Sequence, residues 1–217
     1  MRTEAYTPDA ICESLGVGKF DLPWQKGQPW KQLRILLCPS FGPEVFLNLW
    51  EADGKAMARV VVGRTQIWNL PSPGRVTSDH SVNELTDTTF DQIERHFRLA
   101  LVEPSPSVVT IDGMRVHILL KSAMSTIQIK DNPGRSKLGE YLAATIERLY
   151  YSTNNQRCRN GLAQAGSYVE MKLASTPEKD LEEVSTIMVV GAPDEQAEML
   201  EAIAVVAVRA EAGGDEA

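Results

Sequence analysis

Between residues 85 and 151 the hydrophobic spacing alternates between two periods, and that alternation predicts most of the fold. Phe90, Ile93, Phe97 and Leu101 recur every three or four positions, with Asp91, Glu94, Arg95 and Arg98 between them, as in a helix with one apolar face. Thr86 is its expected N-cap, with Leu85 and Phe90 placed to form a hydrophobic staple. A second stripe, Leu138, Tyr141, Leu142, Ile146, Leu149 and Tyr150, follows the breaker Asn132-Pro133-Gly134-Arg135, and Ser136 is its expected cap. Between the two helices the period drops to two. Residues 108–111 and 114–121 flank Asp112-Gly113, a pair suited to a type I′ turn because both central positions take positive φ. The predicted hairpin sets Ile111 opposite Met114, Val109 opposite Val116 and Ser107 opposite Ile118 on an apolar face. Thr110, Arg115, His117 and Lys121 then occupy the other face. Residues 126–130 repeat the alternation and predict a further strand, with Ile127 and Ile129 inward.

Upstream, Leu33, Ile35 and Leu37 alternate with Arg34 and Leu36, and Val45, Leu47 and Leu49 alternate with Phe46, Asn48 and Trp50. Asp53-Gly54 marks a hairpin tip before residues 56–62 and 65–70, both expected as strands. The strand at 45–50 is apolar on both sides, which predicts a central strand covered on both faces, by the N-terminal arm or by the C-terminal region. Residues 1–31 are expected as an arm with a short helix near 9–15, pinned by Trp24 and Trp30. Residues 71–83 and 152–167 are expected as loops, the latter serving as a linker rich in Asn, Gln, Arg, Gly and Ala. Beyond it lie an alternating strand at 168–174, a helix start at Thr176-Pro177, and an almost wholly apolar helical segment at 202–208.

Two one-sided helices and a one-sided sheet must bury their apolar faces together. The predicted class is α+β: a predominantly antiparallel sheet packed on one face by two amphipathic helices. The core spans residues 32–151, with the arm before it, the linker after it, and an acidic strand–helix extension at 168–217 packed on the core.

Charge refines this picture. The 217 residues carry a net charge of −7, but residues 170–217 hold 12 acidic side chains against 3 basic ones, leaving the preceding 169 residues at +2. An acidic terminal segment facing a basic sheet face predicts electrostatic docking of one on the other. Nucleic-acid partners are disfavoured, since affinity for phosphates requires concentrated positive charge. No apolar run approaches the roughly 18 residues of a membrane helix, and residues 1–6 lack a secretory signal's apolar segment, so a cytoplasmic location is expected. Cys12, Cys38 and Cys158 are too scattered for a zinc site or a disulfide frame and are expected as reduced thiols.

Sequence signatures of catalysis are missing. Gly16-Val17-Gly18-Lys19 lacks the earlier Gly and the following Ser or Thr of a phosphate loop. His80, His96 and His117 are dispersed, and no catalytic, cofactor-binding or metal-binding residue is assigned. The constellation singled out is the polar sheet face, with Arg115, His117, Lys121, Gln128 and Lys130 beside Thr110, together with Trp24 and Trp30 of the arm as anchors. The expected function is therefore non-catalytic protein binding without a cofactor, as an adaptor, chaperone-like or immunity-type protein of a bacterial or phage cytoplasm. One alternative is a hydrolase or transferase using His80, Asp79 or His117. Another is a subunit of a homo-oligomer, assembled through the helix at 202–208.

Overall fold

The computed structural model describes residues 6–21, 31–70, 74–102, 113–122, 125–131 and 136–171, which belong to one compact unit, Met1–Ala174. The predicted class is the observed one: an α+β fold built on an antiparallel sheet with helices packed against it. The strands are β1 (Gln32–Pro39), β2 (Val45–Ala52), β3 (Lys55–Gly63), β4 (Ser78–Leu85), β5 (Met114–Ser122) and β6 (Ser125–Asp131). They lie in the order β4-β3-β2-β1-β5-β6, every neighbouring pair antiparallel. The helices are α1 (Pro8–Ser14), α2 (Phe90–Val102), α3 (Lys137–Ser152) and α4 (Gln156–Ser167).

The first sheet face carries the main core. Leu33, Ile35 and Leu37 of β1, Val45, Leu47 and Leu49 of β2, and Val116, Ile118 and Leu120 of β5 are all buried there. Against them pack Phe90, Ile93 and Phe97 of α2 and Leu138, Leu142, Ile146 and Leu149 of α3. Ser136 caps α3 as predicted, its hydroxyl accepting from the Gly139 N–H at 3.2 Å. The Asp53-Gly54 tip is also as predicted, with φ of 52° and 74°, the two positive values a type I′ turn requires.

Several expectations are corrected. Helix α2 starts three residues later than predicted, because Thr89 and Gln92 form the capping box: the Thr89 N–H donates to Gln92 Oε1 at 3.0 Å and the Gln92 N–H to Thr89 Oγ1 at 3.3 Å. Leu85 instead ends β4, a strand where a loop was expected. As the sheet's outer strand it leaves His80, Val82 and Glu84 exposed and only half-buries Asp79, Ser81 and Asn83, so polar residues occupy both faces and its hydropathy does not alternate. Residues 67–69 form a 3-10 turn rather than a strand. Residues 168–170 are a turn, with Glu170 at φ 55°.

The predicted linker at 152–167 is mostly helix α4. The Asn155 carboxamide oxygen caps it by accepting from the N–H groups of Arg157 and Cys158. Its core-facing stripe holds one large residue, Leu162, among the small Cys158, Gly161, Ala165 and Gly166, a pattern that hydropathy alone does not pick out. At Gly161 the helix approaches so closely that an added Cβ would lie 2.5 Å from a Val62 methyl.

The Asp112-Gly113 hairpin falls partly outside the described residues, but its predicted register is excluded. Both edges of β5 are occupied: Val116 sits between Leu37 and Asp131, and Ile118 between Ile35 and Ile129. The strand predicted at 126–130 is present as β6. Trp24, Trp30, Thr110 and the acidic extension from residue 172 lie outside the described residues.

Candidate functional site

The register places the second sheet face in three rows. One runs His80-Val61-Phe46-Leu36-His117-Lys130, the next Val82-Arg59-Asn48-Arg34-Leu119-Gln128, and the third Glu84-Met57-Trp50-Gln32-Lys121-Thr126. The apolar middle of the first row is covered by the arm. Ile11, Cys12 and Leu15 of the α1 region and Phe20 form a second core with Leu36, Phe46, Val61 and Leu119. This is the cover inferred from the doubly apolar strand at 45–50, and among the described residues the N-terminal arm supplies it.

Arg34 clamps the arm in place. It is only 7% exposed, and its Nη1 donates to the carbonyls of Lys19 and Phe20, both at 3.0 Å, while its Nε donates to Gln32 Oε1 at 3.1 Å. The Asp9 carboxylate accepts from the Phe20 N–H at 2.8 Å, and Lys121 pairs with Asp21 at 2.9 Å. At the other end the Val76 N–H donates to the Ser14 carbonyl and Ser78 Oγ to the Leu15 carbonyl, both at 3.0 Å. Tyr6 packs on Trp68 and donates to the Leu70 carbonyl. Glu44 is buried and caps the turn that carries Trp68, accepting from the N–H groups of Ile67 at 2.7 Å and Trp68 at 3.1 Å. Burial pushes the Glu44 carboxyl above its usual range despite those two donors.

This cover changes the reading of the polar face. His117 is 8% exposed and meets Phe20 edge-on at 6.3 Å, and Lys121 is engaged by Asp21. Of the predicted surface, Arg115 is exposed, across from Cys38. Gln128 and Lys130 stand on β6 opposite Leu119 and His117. The arm of this same chain therefore occupies part of the face singled out as an interaction surface.

What stays open lies toward β4. Val82 is 59% exposed, Glu84 is exposed, and Trp50, Met57, Arg59 and Asn48 are half-buried. The Oδ1 of Asn48 is buried without a hydrogen-bond partner, although it stands between Arg34 and Arg59 in its row. Met57, Arg59, Val82 and Asn48 were not singled out from sequence. The Asp53-Gly54 turn held the signal, since it alone sets Trp50 opposite Met57 and Asn48 opposite Arg59.

His80 borders this strip, and its bonds oppose base catalysis. A guanidinium can only donate, so Arg59 Nη2, 3.1 Å away, makes Nδ1 the acceptor and leaves the proton on Nε2. That Nε2 then donates to Ser78 Oγ at 2.9 Å, and the Ser78 hydroxyl donates to the Leu15 carbonyl. The hydroxyl thus receives a hydrogen bond where an activated nucleophile would give one. Desolvation, and then Arg59, hold the imidazole below its ordinary pKa. Asp79 points to the opposite face, bound by Arg64 at 2.9 and 3.0 Å, and those bonds pull its carboxyl below the usual carboxylate range.

Asp79, Arg64, Arg157, Asn160 and Gln164 line a cavity of about 220 Å³ beside α4. A second hollow of about 440 Å³ lies between the end of β4 and α3 and is bridged by Arg148 and Asp87 at 3.3 Å. The three thiols are not poised as nucleophiles: burial pushes Cys12 to about 12 and Cys158 to about 11, and raises Cys38 further. Among the described residues no group of His, Cys, Asp or Glu could hold a metal ion, and no helix is long and apolar enough to cross a membrane.

Comparison with protein-family models, with curated proteins and with solved structures finds no match to this chain.

Proposed function

We propose that the chain is a non-catalytic protein-binding module, adaptor-like or chaperone-like, whose contact surface is the strip Trp50, Met57, Arg59 and Val82. The observation that carries this reading is the placement of an indole, a thioether and a valine, none of them buried, on three hydrogen-bonded strands. Trp, Met and Arg are enriched at protein interfaces, and a rigid platform loses little entropy when it binds. The complementary partner offers an apolar side chain over Trp50 and Met57 and a carboxylate for Arg59. The bonding of His80 and the raised thiol pKa values favour this reading over a hydrolase or transferase.

A photo-crosslinking residue at position 57, with position 95 on the outer side of α2 as control, would be used to trap the partner in cells. The purified partner is then titrated against W50A and R59E. Each variant is expected to weaken binding about tenfold or more, a loss on the order of 1.4 kcal/mol. Equal adducts at both positions, or unchanged affinity in both variants, would refute the assignment of this strip.

A further inference from the structure

The outer edge of β4 carries a second and separate recognition feature. In an antiparallel ladder, residues alternate between those bonded to the neighbouring strand and those whose N–H and C=O point away. The Arg64 N–H donates to the Thr77 carbonyl at 2.9 Å, which fixes the phase of the β3–β4 ladder. Asp79, Ser81 and Asn83 therefore bond to β3, while His80, Val82 and Glu84 turn their backbone groups outward. The Asn155 amide confirms this phase from outside, donating to the His80 carbonyl at 3.3 Å. Among the described residues no strand pairs with this edge.

The side chains on that edge are self-complementary. About a two-fold axis through Val82, Val82 meets the partner's Val82, His80 meets the partner's Glu84, and Ser81 meets the partner's Asn83. An apolar pair thus sits at the centre, and on each side His80, held by Arg59 and Ser78, stands beside the partner's Glu84, held by Lys55. Moving the axis to His80 sets imidazole against imidazole, and moving it to Glu84 sets carboxylate against carboxylate. Only the Val82 axis places the exposed valine at the centre and opposite chemistries around it. We infer that two copies of this chain pair β4 to β4 in antiparallel register about Val82, joining their sheets into one.

In that arrangement the three outward residues of each strand face three outward residues of the other, and each opposing pair exchanges both N–H···O=C bonds once the Asn155 amide releases the His80 carbonyl. The second faces of the two sheets become continuous. The pairing shares Val82 with the contact strip proposed above but is made by the backbone edge of β4, so W50A is expected to leave it intact.

The experiment is sedimentation velocity on the full chain from about 1 to 500 µM, with Val82→Pro and Val82→Cys alongside. Wild type is expected to move from 23.9 kDa toward twice that mass as concentration rises. The Val82 N–H makes no bond to β3, so V82P removes an intermolecular donor while leaving the internal ladder whole. It is expected to remain at the single-chain mass with an unchanged melting curve. V82C is expected to form a disulfide dimer under mild oxidation, since facing residues of a hydrogen-bonded pair lie about 5.5 Å apart at Cα, within disulfide reach. Arg95→Cys on α2 is expected not to form one. A wild-type chain that stays at 23.9 kDa throughout would overturn the inference. So would a dimer that forms in V82P, or a V82C chain that crosslinks no better than R95C; the latter decides the matter if V82P fails to fold.

Discussion

Gly161→Ala tests the packing of α4 because two opposing effects can be weighed in advance. In a solvent-facing helix, replacing an interior glycine by alanine stabilises by about 1 kcal/mol, through reduced backbone entropy in the unfolded chain. Gly161 instead faces Val62, and an added Cβ would lie 2.5 Å from Cγ1, 2.9 Å from Cγ2 and 3.3 Å from Cβ. Ordinary carbon–carbon contact is about 3.5–4.0 Å, so the surfaces must part by about 1 Å. Rotating Val62 about χ1 exchanges one clashing methyl for another and leaves Cβ where it is. The helix must move instead, and overpacking of that kind costs about 1–3 kcal/mol. The net expectation is destabilisation of up to about 2 kcal/mol, opposite in sign to the propensity effect alone. Urea denaturation of G161A, V62A and the double variant measures it, with the cycle expected to show about 1 kcal/mol or more of favourable coupling. Stabilisation of G161A by about 1 kcal/mol, with no coupling to V62A, would refute the packing of α4 on β3.

Two further perturbations address the arm and its neighbouring turn. Arg34→Met leaves the Lys19 and Phe20 carbonyls without their buried donor and should cost about 1–3 kcal/mol in a thermal or urea melt. Early proteolytic cleavage before residue 31 should accompany that loss, and unchanged protease resistance would contradict the clamp. The raised pKa of Glu44 means that the folded state binds its proton more tightly than the unfolded chain does. Its contribution is therefore complete below the unfolded value near 4.5 and is lost as pH rises through the folded value. Wild type should accordingly gain stability relative to E44Q as pH falls from neutral to 4.5, and a constant difference across that range would contradict the assignment.

The fold was legible where burial leaves a strong period. Leu138, Leu142, Ile146 and Leu149 announced α3, and the doubly apolar run at 45–50 announced a cover on the second face. Legibility failed where small or exposed residues carry the structure. Helix α4 packs through Cys158, Gly161 and Ala165, which by composition resemble a linker, and β4 hides its period because its half-buried positions Asp79, Ser81 and Asn83 are polar. The Asp112-Gly113 pair suggested a local hairpin, yet tertiary pairing gave both edges of β5 to β1 and β6. At the candidate site, His117 and Lys121 are polar side chains that the arm engages, and in a sequence these look the same as solvated ones. The strip around Met57 and Arg59 required the cross-strand register, which follows from the turn rather than from any single residue.

The central claim is that the arm covers one part of the second sheet face and leaves the Trp50–Met57 strip open. Native thiol labelling of Val61→Cys and Met57→Cys, each with Cys38→Ser, tests it directly. The account predicts that M57C reacts nearly as fast as in the unfolded chain, while V61C is protected by orders of magnitude and becomes reactive when Arg34 is replaced. Equal labelling of the two positions in the native protein would contradict it.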